Sequence, residues 1–386
     1  MCTLCLYGFN RFFTKASHPS QKRQNRSSPV EPVSGHLEIM DKGFGFLRAI
    51  EQNFNPGPLD TFVPANFIRQ NGIGEGLFIE GGGVKGDPRN QNLKLAAVDT
   101  VNGIPMDQYH GFTPLQDCVS IDPNQPFNLT LGPEDIMGQA LDLIVPMGRG
   151  QRGLVISPPK SGKTTILKHL ANAIMTNHPG TQVFVLLVDE RPEEVTDFKR
   201  GLSGAHVLAS SADRSLSEHM RMTRLGINTV VRATESGDDV VLLIDSLTRL
   251  SRAFNTETPS YGRTMTGGLG ANALEIPRRV FGAARNIENG GSLTIMATIL
   301  VDTGSRMDDI IFQEFKGTGN LDLVLSRKCA EQRVWPAIHI NDSGTRKEHL
   351  ILDKQRYGKI TEIRRSLARH DEVTAMQVFI ELLKSE

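Results

Sequence analysis

The segment Ser157-Pro-Pro-Lys-Ser-Gly-Lys-Thr-Thr165 follows the apolar run Leu154-Val-Ile156 and precedes a helical stretch, Ile166 to Met175. Its Gly162-Lys163-Thr164 core supplies what a nucleoside triphosphate needs. Backbone N–H groups at a helix start receive phosphate oxygens, the Lys163 ammonium reaches the outer phosphates, and the Thr164 hydroxyl can ligate magnesium. The loop departs from G-x-x-x-x-G-K-[ST] at its first position, where Ser157 stands for glycine. Pro158 and Pro159 can stiffen the turn that glycine would permit, provided Ser157 keeps an ordinary backbone dihedral. A second apolar run, Val240-Val-Leu-Leu-Ile244, ends in Asp245, a position suited to holding magnesium through water. A third, Val183 to Val188, ends in Asp189-Glu190. A carboxylate there can polarise the water that attacks the γ-phosphate; Glu190 is preferred and Asp189 is its competitor. Far downstream, Arg327, Arg333 and Arg346 are candidates for a planar cation over the γ-phosphate. ATPases of this layout often take that arginine from a neighbouring subunit, which argues for a ring.

These groups need a scaffold that brings strand ends together. The runs at 154–156, 183–188, 240–244, 293–300 and 321–325 are nearly continuous in apolar residues, the pattern of strands buried on both faces of a parallel sheet. Ligands bind at the carboxyl ends of such strands. The stretch from Ile360 to Leu383 has helical spacing that places Val378, Phe379, Leu382 and Leu383 on one packing face. Upstream the pattern differs: short strands at Gly35–Met40, Gly43–Leu47, Asp60–Val63, Leu77–Glu80 and Leu93–Val98 predict a small barrel, with Gly81 to Asn90 as a mobile hairpin loop. The period of two puts Phe44, Phe46 and Arg48 on one face, which by itself reads as barrel core.

The implied organisation is a disordered basic tail (1–34), a barrel (35–103), an ordered linker (104–140) and an ATPase domain (141–386). A chain of 386 residues with 39% hydrophobic content can bury more than one core. Its 43 basic and 43 acidic residues cancel, so binding to nucleic acid must come from local patches. No apolar run approaches a membrane span, and Cys2, Cys5, Cys118 and Cys329 are scattered, so a soluble, cytoplasmic protein without disulfides or membrane attachment is expected.

Several segments together resemble the bacterial transcription termination factor Rho family: Gly148-Arg-Gly-Gln-Arg-Gly153, Pro158-Pro-Lys-Ser-Gly-Lys-Thr164, Asp189-Glu-Arg-Pro-Glu-Glu-Val-Thr196, Asp245-Ser-Leu-Thr-Arg-Leu250, Asp302-Thr-Gly-Ser305, Glu314-Phe-Lys-Gly-Thr-Gly-Asn320 and Ser343-Gly-Thr-Arg-Lys-Glu348. The similarity runs from about Gly35 to the C-terminus. It implies an α/β fold, a RecA-like P-loop ATPase domain preceded by a small all-β OB/cold-shock-type barrel. It also implies a homohexameric, RNA-dependent ATPase with 5′-to-3′ helicase activity that uses ATP and Mg2+ and releases a transcript from the RNA polymerase elongation complex. On this resemblance Gly148, Arg149, Gly150, Gln151, Arg152, Gly153, Lys160, Ser161, Gly162, Lys163, Thr164, Thr165 and Arg191 contact the nucleotide, and Trp335, where phenylalanine is more usual, stacks on its base. Glu190 positions water, Thr164 and Asp245 serve the metal, and Arg346 is donated in trans. Single-stranded RNA meets Phe44, Phe46, Arg48, Asp60 and Phe62 on the barrel. In the pore it meets Arg263, Thr266, Gly267, Gly268 and Arg306, two of them arginines where lysine is common. The competing readings are another ring ATPase on the same core, a rotary or secretion motor without RNA activity, and a non-catalytic RNA-binding protein with a dead nucleotide site.

Overall fold

The computed structural model of the protein describes residues 29–86, 92–257, 264–265, 268–270 and 273–385. Strands β1 (Glu31–Ile39), β2 (Gly45–Arg48), β3 (Thr61–Val63), β4 (Phe78–Lys85), β5 (Leu93–Val101) and β6 (Ile104–Pro105) form one sheet in the order β3-β2-β1-β4-β5-β6, and β3 closes on β5. Helix α1 (Ala65–Asn71) adds Ile68 to a core of Leu37, Leu47, Val63, Leu77, Ile79, Leu95 and Val101. Because successive strand residues face opposite sides, this core sends Phe46 and Phe62 to the outer surface.

Two expectations are corrected here. The barrel begins at Glu31, inside the expected tail, and Gly81, Gly82 and Gly83 lie within β4, paired with Val33, Pro32 and Glu31. Both changes have one cause. A Cβ on Gly81 would sit 2.1 Å from the Ala97 carbonyl oxygen, and one on Gly83 would sit 2.8 Å from a Val33 methyl. The glycines permit a close strand approach rather than a loop. Residues 1–28 of the expected tail and 87–90 of the expected hairpin lie outside the described residues, as do Arg263, Thr266 and Gly267.

Strand β7 (Ser120–Ile121) falls within the expected linker and helix α2 (Ile136–Ile144) crosses its end, and Phe127, Leu129, Ala140 and Leu141 enter the second core. There follow β8 (Arg152–Ser157), α3 (Lys163–Asn177), β9 (Thr181–Glu190), α4 (Pro192–Gly201), β10 (His206–Ser211), α5 (Leu216–Glu235), β11 (Asp239–Asp245), α6 (Leu247–Glu257), β12 (Thr264–Met265), β13 (Leu269–Gly270), α7 (Glu275–Gly282), β14 (Arg285–Ile287), β15 (Ser292–Leu300), α8 (Arg306–Lys316), β16 (Leu321–Val324), α9 (Arg327–Glu331), β17 (Gly344–Thr345), α10 (Lys354–Leu367) and α11 (Glu372–Ser385). The main sheet runs β10-β9-β11-β15-β8-β16-β17, parallel from β10 to β16. In β9, Val183, Val185 and Leu187 face one hydrophobic layer while Phe184, Leu186 and Val188 face the other. That two-sided burial explains the unbroken apolar run. The C-terminal stretch forms two helices, and Leu382 is exposed while Phe379 and Leu383 are buried.

The barrel is seated on the ATPase half. Phe54 of the barrel enters the core layer of α5 and β10 beside Leu208 and Met222, and the Ala209 N–H donates to Asn53 Oδ1 at 3.0 Å. No described helix is long and apolar enough to cross a membrane.

Candidate nucleotide site and nucleic-acid face

Three neighbouring parallel strands, β9, β11 and β15, and the adjacent β8 end on the same side of the sheet, and their terminal residues converge. Ser157, the last residue of β8, is buried and extended, as its replacement of glycine requires. Its Oγ lies 2.9 Å from Ser161 Oγ, which donates to the Pro158 carbonyl at 2.8 Å. These bonds set the loop internally and leave its backbone N–H groups for a ligand. Lys160 and Gly162 adopt positive φ (64° and 90°), and Gly162 caps α3. Thr164 is half-buried in the first turn; Thr165 and Lys160 are exposed. A Cβ on Gly162 would lie 2.6 Å from Cζ3 of Trp335, so the glycine lets the indole rest on the loop, with 43% of the tryptophan still exposed.

Lys163 Nζ is 2.6 Å from Asp245 Oδ1 and 3.6 Å from Glu190 Oε2. Both carboxylates are fully buried. Asp245 Oδ1 also accepts from Thr298 Oγ1 at 2.8 Å, and Glu190 Oε1 is 3.0 Å from Arg249 Nη1. Arg249 donates in addition to the Asp189 carbonyl, and Asp189 takes a φ of 55°. The lysine thus meets Glu190 rather than the competing Asp189. Burial raises the Glu190 pKa above the ordinary carboxylate range; Lys163 opposes the rise, Asp245 adds to it and Arg249 opposes it. Glu190 Oε2 and Asp245 Oδ2 are buried without a hydrogen-bond donor. Oxygens so placed beside Lys163 and Thr164 suit a hydrated divalent cation arriving with the phosphates. Among the described residues no cluster of three or more His, Cys, Asp or Glu could hold a metal by itself. Arg249 and Thr298 carried no assigned role in the sequence. A threonine inside an otherwise apolar buried strand, and an arginine one helical turn beyond Asp245, are the signals that would have found them.

Other expected nucleotide residues lie elsewhere. Arg191 is exposed, and its N–H donates to Glu190 Oε1 at 3.2 Å. Gly148 to Gly153 precede or begin β8, so about 20 Å of strand separates most of them from the loop of the same chain. There they brace the sheet. Gln151 Nε2 and the Arg152 N–H donate to Asn320 Oδ1 at 2.7 and 2.8 Å, and Arg149 pairs with Asp239. Within one chain they therefore stand apart from the phosphate loop. Arg346 follows β17 at the same far edge, exposed, with its N–H on the Asn320 carbonyl at 2.9 Å. Arg327 is engaged by Glu331 at 2.8 Å.

On the barrel, Phe44, Phe46 and Phe62 form a half-buried triangle with ring centroids 5.6–5.8 Å apart, outside the core. Arg48 stacks its guanidinium 4.6 Å from the Phe46 centroid but is itself buried, with Nε 2.6 Å from Glu38 Oε2 and a second bond to Asp60. Two carboxylates therefore hold its charge. Glu38 is in turn gripped by Arg221 of α5 at 3.0 Å. Gly268 (φ 80°) and Arg306 are exposed.

Residues 33–107 match the family model described as the Rho termination factor RNA-binding domain, and residues 138–345 match that of the ATP synthase alpha/beta family nucleotide-binding domain. A transcription termination factor Rho of Chromobacterium violaceum is 44% identical over 368 residues, 94% of this chain and 88% of that protein. The Aquifex aeolicus protein of the same name is 42% identical, covering 94% and 84%. Against the Mycobacterium tuberculosis one, at 44% identity, the chain spans 59% of the relative's length. Among solved structures, an ATPase from the type III secretion system of pathogenic bacteria shares the fold, at a TM-score of 0.57 and 24% identity over 65% of this chain and 70% of that one. The assembled ATPase EscN from enteropathogenic E. coli does so at 0.58 and 21%, over 75% and 66%.

Proposed function

The chain belongs to the transcription termination factor Rho family, and from that premise we propose that it is an RNA-dependent ATPase that works in the cytoplasm as a homohexameric ring. It binds nascent single-stranded RNA, moves along it 5′ to 3′ and releases it from the RNA polymerase elongation complex. The observation that carries this reading is one chain holding both an outward-facing triangle of phenylalanines and a buried lysine–carboxylate site at the strand ends.

Each group has a chemical task. The loop N–H groups and Lys163 receive the triphosphate, and the exposed indole of Trp335 stacks on the base. When bound, Mg2+ neutralises charge on the phosphates, and Thr164 and, through water, Asp245 would hold it. Glu190, as carboxylate, accepts a hydrogen bond from the attacking water and orients it; Arg249 fixes its other oxygen. Arg346, beside the amino end of β8, is separated from the loop of its own chain by the length of that strand, about 20 Å. Its geometry suits donation to the site of a neighbour, where a planar fork stabilises the charge spreading over the γ-phosphate. Phe44, Phe46 and Phe62 stack RNA bases, with Arg48 and Asp60 forming a fixed polar edge beside them. Arg263, Thr266, Gly267, Gly268 and Arg306 line the pore of the ring.

The test is ATP hydrolysis with and without polycytidylate, alongside an RNA-binding assay. Stimulated hydrolysis with tight binding is expected. Hydrolysis that stays flat on adding RNA would favour a motor of the secretion type, and binding without hydrolysis a non-catalytic RNA protein.

A further inference from the structure

The row of the barrel sheet that carries two of the platform rings does not end in solvent. Across β1, β2 and β3, Glu38 lies opposite Phe46 and Phe46 opposite Phe62, so the carboxylate shares the outer face of the rings. An acidic side chain on such a face is ordinarily exposed, yet Glu38 is only 1% exposed. What covers it comes from the other half of the chain. Arg221 Nη1, on α5, donates to Glu38 Oε1 at 3.1 Å and to Oε2 at 3.0 Å. Oε2 is shared with Arg48 Nε at 2.6 Å.

The same guanidinium holds a second piece of the barrel. Nη1 also donates to the Phe54 carbonyl at 2.8 Å, and Nη2 reaches Asn55 Oδ1 at 3.4 Å. The segment that continues from Asn55 ends at Asp60, whose carboxylate takes the other arm of Arg48. Arg48 therefore stands between Glu38 and Asp60 with its guanidinium against the Phe46 ring, and Arg221 anchors Glu38 directly and Asp60 through the segment before it. These side chains balance two guanidinium groups against two carboxylates. Without Arg221, one guanidinium would answer to both carboxylates. It would be drawn toward buried Glu38, and an uncompensated negative charge would be left beside the rings.

Rings and polar edge give a bound strand different things. Stacking accepts any base, because every base has a π-face, whereas hydrogen bonds to base edges separate one base from another. We infer that Arg221, a residue of the ATPase half, is a positioning residue for base discrimination on the barrel. It sets the Arg48–Asp60 edge that tells bases apart, and the sequence-tolerant stacking stays with Phe44, Phe46 and Phe62. The barrel's selectivity is then completed by a helix outside it. This rests on the reading of the ring platform as an RNA-binding face.

The experiment uses the full chain without nucleotide and measures, at one salt concentration, the Kd for short RNA homo-oligomers of cytidylate, uridylate and adenylate in the unaltered chain, Arg221→Gln and Arg221→Lys. The readout is the spread, the ratio of the weakest to the tightest Kd. In Arg221→Gln the spread narrows about fivefold or more, because the tightest oligomer loses affinity while the weakest stays within about twofold. Arg221→Lys, which keeps the charge with fewer donors in a different geometry, retains part of the spread. An unchanged spread overturns the inference, as does an equal loss for all three oligomers, the mark of a merely structural contact. Should Arg221→Gln fail to fold, Arg221→Lys decides, and an unchanged spread there overturns it. If the unaltered chain binds all three alike, the inference falls alone; if it binds none, the RNA-binding reading fails first and the inference with it.

Discussion

Glu190 and Asp245 each spend one oxygen on protein donors and keep the other buried without a donor. That division suits an oxygen reserved for water or a hydrated cation, and it makes the site sensitive to small changes. Lys163→Ala and Glu190→Gln should each lower RNA-stimulated hydrolysis by about 10²-fold or more while RNA binding, measured by filter retention, stays largely intact. Because burial holds the Glu190 pKa above the usual carboxylate range, activity should fall with decreasing pH sooner than an ordinary carboxylate would dictate. Arg249 opposes that rise, so Arg249→Gln should move the acid limb of the kcat profile to higher pH; an unmoved limb would sink the assignment. The residue types of Lys163, Thr164 and Asp245 were legible from spacing after apolar strands. Arg48 was not. Its place on the face of the rings was correct, but its charge is taken up by Glu38, which pairs from β1, and by Asp60 at the start of β3, contacts that no local pattern announces.

Elements were easiest to read where burial is two-sided. Four of the five strands expected in the ATPase core, β8, β9, β11 and β15, stand out as apolar runs because both their faces are buried. The strand β10 escaped notice because, at the sheet edge, it alternates between exposed and buried residues with His206, Ser210 and Ser211 among them. In the barrel the glycine run hid a strand. Gly81→Val should destabilise the protein by more than about 2 kcal/mol in denaturant unfolding, since its Cβ would meet the Ala97 carbonyl across the ladder. Phe62→Ala separates the platform from the core: RNA affinity should weaken by about 1–3 kcal/mol in a binding titration. The melting transition should change little, because the ring lies outside the barrel core.

At the scale of the molecule, the nucleotide loop lies at the carboxyl ends of the parallel strands and Arg346 at their amino ends, beside the start of β8. Mixing Arg346→Ala chains with Lys163→Ala chains should therefore recover activity that neither has alone, and no recovery at any ratio would count against donation in trans. The seam between barrel and ATPase half has its own signature. His36 packs against Phe54 and Phe78 near His206 and Glu51, and burial pushes its pKa down to about 4. Burial lowers His206 as well and raises Asp238, which lines the same cavity of about 310 Å3. An unfolded His36 takes up its proton near the ordinary 6.5. Stability should thus be full above that value and fall as pH drops toward 4, by up to about 3 kcal/mol. His36→Gln should flatten that part of a pH series of melting curves. The same seam limits what can be cut out and moved. Glu38 answers to Arg48 within the barrel and to Arg221 of α5, and Phe54 sits in a core layer of the ATPase half. A barrel transplanted alone onto another protein would carry a phenylalanine stripped of its ATPase-half neighbours and a carboxylate short of one partner, so a graft that preserves the ring platform must bring the Arg221 face of α5 with it.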